Sequence, residues 1–81
     1  MKLPRGLSGQ HLAKQLQLFG YKITRQSGSH MRLTSELKGQ HHLTIPNHTE
    51  LKLGTLNSIL SEASEHFEIS KDEVIKKLFY S

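Results

Sequence analysis

The chain has 81 residues, room for one small domain in which little surface is buried and every apolar stripe must be used. It contains no cysteine, which excludes disulfides, thiolate metal centres and cysteine nucleophiles. The formal charge of +4 is unevenly spread, with a net +6 over residues 1–60 and −2 over residues 61–81. A basic body of this kind suits a polyanionic partner, nucleic acid before membrane. No apolar run approaches the roughly 20 residues that span a bilayer, and no signal-peptide pattern is present, so a cytoplasmic location is expected.

The first predicted element is a helix. Ser8 is placed to cap it, Leu12, Leu16 and Phe19 share one face, and Gly20 supplies a left-handed stop. Residues 21–26 and 30–34 then read as strands joined by a turn at Ser27-Gly28-Ser29, and residues 40–45 as a third strand closed by Pro46. Gly28-Ser29-His30-Met31 also spells the scar of a cleaved expression tag, but its position between two strand-like segments makes it native. Leu56, Ile59, Leu60, Ala63 and Phe67 mark a second long helix. Ser70 and Glu73 form a capping box ahead of Val74, Ile75, Leu78 and Phe79, which starts a last helix at about residues 70–80. The expected fold is α+β, a single domain over residues 1–81 with its core at about 7–66. A three-stranded antiparallel sheet carries helices on one face, with an additional C-terminal helix.

A sheet covered on one side offers its other face to solvent or a ligand. If Ile23, Leu33, Leu43 and Ile45 point to the helices, strict alternation sends Lys22, Thr24, Gln26, His30, Arg32, Thr34, His42 and Thr44 outward, an acid-free face. Arg25 falls with Ile23 and is expected at the core-side rim. Pairing Ile23 with Leu33 requires a three-residue turn or a bulge in the first hairpin, which places His30 at the start of its strand.

Arginine and lysine attract phosphates, and hydroxyls bond phosphate and sugar oxygens. Histidine exchanges protons near neutrality. RNA cleavage requires little more: a base for the 2′-hydroxyl, an acid for the leaving oxygen, and positive charge. His30 is therefore the candidate catalytic residue, with Arg32 and Lys22 holding phosphate and His42 as a second proton carrier. His41 and His42, adjacent on a strand, face opposite ways and cannot share an ion. His30 with His42 lacks a suitably placed third ligand, His48 being the one nearby candidate, so no metal is expected. His11 and His66 fall on helices, as solvated side chains. The helix start Lys52-Leu53-Gly54-Thr55 reads equally as a phosphate cradle and as ordinary capping.

Several of these residues coincide with one family pattern. Leu7-Ser8-Gly9, Leu18-Phe19-Gly20-Tyr21, Arg25-Gln26-Ser27-Gly28-Ser29-His30, Ile45-Pro46-Asn47-His48 and Lys52-Leu53-Gly54-Thr55-Leu56 occur in order, ending at Ile59-Leu60. The chain thereby resembles the HicA (YcfA-like) toxins of bacterial type II toxin–antitoxin modules. The resemblance implies a double-stranded-RNA-binding-domain-like α-β-β-β-α fold and a ribosome-independent, metal-independent mRNA interferase without cofactor. It also implies catalysis by the histidine of the Gly-Ser-His turn, His30, and neutralisation by a HicB antitoxin covering that region. Lys22, Gln26, Ser29, Arg32 and His42 are the expected substrate-binding residues, and mRNA and a HicB-type antitoxin the expected partners. A non-catalytic RNA-binding module is the alternative. The helix after residue 70 extends beyond the shortest members.

Overall fold

The computed structural model describes residues 2–80. Helix α1 (Gly9–Gln15) runs into a 3₁₀ turn (Leu16–Phe19), followed by strands β1 (Lys22–Ser27), β2 (His30–Ser35) and β3 (His41–Pro46). Helices α2 (Leu53–Phe67) and α3 (Lys71–Ile75) complete the order, the latter continued by a π turn (Lys76–Tyr80). The strands form one antiparallel sheet in the order β1-β2-β3.

The local signals act as the sequence suggests. Ser8 accepts the His11 N–H at 3.0 Å and caps α1, and Gly20 closes the 3₁₀ turn at a φ of 81°. Ser70 and Glu73 form both halves of a capping box at α3. Leu12, Leu16, Leu33, Leu43, Ile45, Leu56 and Leu60 are essentially inaccessible, and one apolar cluster joins α1, the sheet and α2. Val74, Ile75 and Leu78 belong to that same cluster, so the segment after residue 70 is docked on the body. Ile23 departs from expectation. It pairs with Leu33 but remains 50% exposed, because β1 is an edge strand that α1 covers incompletely.

The first hairpin resolves the predicted conflict of register. Its loop has two residues, with Ser27 opposite His30, and Gly28 alone takes a positive φ of 57°, as the first central position of a type II′ turn requires. The register slips between Ile23 and Arg25, which restores the pairing of Ile23 with Leu33. His30 is the first residue of β2.

Candidate nucleic-acid interface

The slip at Thr24 reassigns the faces of β1. Beyond it Arg25 is opposite Arg32 and Gln26 opposite Met31. Met31 is buried against the helices and Arg32 is exposed, so Arg25 joins the open face and Gln26 leaves it. Gln26 lines a cavity of about 250 Å³ with Gln10, Ala13 and Met31 on the helix side of the sheet. The expected positions of both residues are corrected by one inserted residue, because a side-chain period of two changes sign across it.

The open face consists of three cross-strand rows. Ser27, His30 and Pro46 occupy the turn end; Arg25, Arg32 and Thr44 the middle; Lys22, Thr34 and His42 the far end. The exposed Ser29 precedes His30 in the turn, and its carbonyl accepts the Asn47 N–H at 2.6 Å, which ties the turn to the end of β3. Lys22, Arg25 and Arg32 have no ion-pair partner among the described residues. Like charges directly opposite on neighbouring strands are destabilising, and Arg25 faces Arg32 in this way; a bound polyanion reverses that sign.

His42 is fixed by hydrogen bonds. Its Nδ1 is 2.8 Å from Thr34 Oγ1, which is 2.8 Å from Thr24 Oγ1. This chain crosses all three strands and leaves Nε2 as the free nitrogen. The placement removes His42 from chemistry at His30. His30 is opposite Pro46, four residues along β3 from His42, so the two are separated by roughly 13 Å at 3.3 Å per residue. One phosphate cannot be reached by both, nor can the pair hold one ion. Among the described residues no group of three or more His, Asp or Glu is gathered as a metal site would require.

An open groove of about 450 Å³ lies between the sheet and α2, lined by His30, Thr44 and Pro46 on one side and Thr55, Ser58 and Glu62 on the other. The expectation of an acid-free face therefore holds for the strands but not for the groove. Lys52 precedes α2 without a side-chain cap, and Gly54 also lines the groove, so uncapped first-turn N–H groups lie on the His30 side of α2. Neither Glu62 nor Arg25 is singled out by the sequence pattern. Of the two expected devices, a three-residue turn or a bulge, only the bulge brings Arg25 to the open face; Glu62 follows only from the docking of α2 on β3.

The opposite side of β3 holds a second cluster. His41 Nδ1 is 2.8 Å from the hydroxyl of the buried Tyr21, and its ring stacks on His66 at 4.4 Å between centroids. His66 Nε2 is 2.8 Å from the Leu37 carbonyl, which can only accept, so Nε2 carries the proton. His66 is thus held in place rather than solvated as expected. Burial, then the neighbouring His66, lowers the His41 pKa, opposed by Glu62. Burial, with a contribution from Glu62, pushes the Tyr21 pKa up to about 12.

The family described as HicA toxin of bacterial toxin–antitoxin matches residues 9–64 of this chain, from the start of α1 through most of α2. No curated protein and no solved structure gives a significant match.

Proposed function

The chain belongs to the HicA toxin family of bacterial toxin–antitoxin systems, and we propose that it acts as a ribosome-independent endoribonuclease on mRNA with His30 as its catalytic residue. The carrying observation is the position of His30, exposed at the first residue of β2, in a groove beside the row of Arg25 and Arg32.

In this reading the scissile phosphate lies at the turn end of the sheet. Arg32, two residues along the strand from His30, and Arg25 beside it neutralise phosphate oxygens as negative charge develops. His30 takes the proton of a 2′-hydroxyl as its oxygen attacks phosphorus, or delivers a proton to the 5′-oxygen as the P–O bond breaks. Ser29 orders the turn and can bond the backbone of the strand. Lys22 and His42, at the far end, contact the RNA chain away from the bond being cut. Gln26 takes no part. No step is assigned to a metal or cofactor.

As a toxin of such a module, the protein has a cognate antitoxin as partner. In our reading this is a HicB-type protein that covers the basic face, and the pair operates in the bacterial cytoplasm. No helix of the described residues is long and apolar enough to cross a membrane.

The test is induction of wild type and His30→Ala in a bacterium, following growth and mRNA integrity. Wild type is expected to arrest growth and fragment mRNA, and the variant to do neither while retaining its thermal midpoint. Purified wild type should cleave RNA equally with and without a chelator. Intact mRNA and normal growth with both proteins would overturn the nuclease reading, and stable binding of uncut RNA would replace it with a binding module.

A further inference from the structure

Residues 2–6 and the end of the chain lie outside the family-matched span, yet they meet beside the groove. Tyr80 Oη donates to the Lys2 carbonyl at 2.9 Å, Leu3 packs against the core, and the Leu51 N–H donates to the Leu7 carbonyl at 2.7 Å. These contacts position the backbone of the segment next to the approach to α2. Lys2, Leu3, Arg5 and Leu53 line a cavity of about 260 Å³, and Lys52 precedes Leu53 in the chain. Lys2, Arg5 and Lys52 are exposed and have no ion-pair partner among the described residues, and no carboxylate lines the cavity. The next residues after Leu53, Gly54 and Thr55, line the groove that holds His30, so both depressions border the first turn of α2.

We propose that Lys2, Arg5 and Lys52 form a second phosphate subsite, which holds the RNA strand at a phosphate neighbouring the scissile one. The inference rests on the nuclease reading and extends it to the path of the substrate. From the Arg25–Arg32 row the strand crosses the His30 groove and leaves over the first turn of α2. Two cations at the rim, with Lys52 beside Leu53 in the chain, fit a phosphate, and the apolar floor of Leu3 and Leu53 fits the ribose or base attached to it. The position of both depressions at the first turn of α2 favours one RNA strand across them over an acidic protein segment. Tyr80 is a positioning residue. Its bond to the Lys2 carbonyl assigns the segment after α3 a task, to hold the basic residues 2–5 where the strand passes.

The experiment measures binding of 2′-O-methyl RNA, which has no free 2′-hydroxyl to attack, by fluorescence anisotropy over a series of salt concentrations. A dinucleotide, which has a single phosphate, and a dodecamer are compared on wild type, the double variant Lys2→Gln/Arg5→Gln, Tyr80→Phe, and Lys76→Gln as a control that removes a charge elsewhere. Each phosphate neutralised on a single strand contributes about 0.7 to the slope of log K against log salt, so the double variant, which empties a subsite for one phosphate, should lower the dodecamer slope by roughly 0.7 and weaken binding about tenfold. Dinucleotide binding and the Lys76→Gln variant should match wild type. Tyr80→Phe should weaken dodecamer binding by less than the double variant does, at a thermal midpoint close to wild type.

An unchanged dodecamer slope in the double variant, or an equal loss in Lys76→Gln, overturns the subsite. Equal competition by poly-glutamate of matched charge would assign the cavity to acidic protein instead and also overturn it. Cleavage of unmodified RNA by wild type is measured in parallel. If cleavage is present and the slope is unchanged, only the subsite falls; if RNA is neither cut nor bound, the nuclease reading falls with it.

Discussion

At Thr24 a single inserted residue determines which side chains share the open face of the sheet. Upstream of it Lys22 faces outward with Thr34; downstream Arg25 faces outward with Arg32, and Gln26 turns to the helices with Met31. The need for a three-residue turn or a bulge was legible, because apolar Ile23 had to lie beside Leu33. Its consequence for residues 25 and 26 was obscured by treating the strand as an unbroken alternation. The two readings separate experimentally. Arg25→Gln removes a cation from the open face and should lower kcat/KM for RNA cleavage about tenfold or more, since bonds between charged groups contribute about 1.5–3 kcal/mol. Gln26→Ala should leave cleavage near wild type. The reverse pattern in a steady-state assay would place Gln26 on the substrate side and remove the bulge from the argument.

At the level of elements, the start of α1 fixes the end of β3, and through it the turn that precedes His30. The Gly9 N–H donates to the His48 carbonyl at 2.9 Å, and a Cβ on Gly9 would overlap the carbonyl oxygen of Pro46. Asn47, next to Pro46, donates to Ser29 immediately before His30. Glycine is thus required at residue 9 by close approach of two backbones, not by its φ. Gly9→Ala should lower unfolding stability by about 3 kcal/mol, at the upper end of the usual cost of overpacking, since neither backbone can retreat without breaking these bonds. Urea unfolding measures it, and a loss below about 0.5 kcal/mol, the ordinary scatter of surface substitutions, would show that α1 can shift freely. The elements themselves were readable because caps, stops and periodicity agreed: Ser8, Gly20, the Ser70–Glu73 box and the α2 stripe act as expected. What sequence could not supply was the lateral position of α2 along β3. That contact gives the groove its Glu62 wall and brings His66 onto His41.

Over the whole molecule, His41 and Tyr21, whose pKa values are shifted by the fold, both lie on the helix side of the sheet. On the open side His30 and His42 are exposed. On the helix side His41 is enclosed by Tyr21, His66, Glu62 and the adjacent His42, with the Lys38–Glu68 ion pair (2.9 Å) on the turn beyond β2 and the end of α2. The His41 pKa is lowered in the folded state, first by burial and then by His66. The unfolded chain therefore binds more protons below the ordinary histidine value of about 6.5, and stability falls as pH drops through that value towards the folded pKa. Because His66 already uses Nε2–H to bond Leu37, a proton shared between the two stacked rings relieves nothing. Tyr21 acts at the other extreme: with its pKa pushed up to about 12, the folded state resists ionisation and stability is lost as pH rises above the ordinary value of about 10. His66→Gln preserves an N–H donor for Leu37 and deletes the facing imidazole. Its thermal midpoint should therefore fall less steeply than wild type between neutrality and mild acid. The substitution leaves the other histidines in place, so the difference in slope isolates the stacked pair. Identical slopes would place the acid sensitivity elsewhere in the molecule.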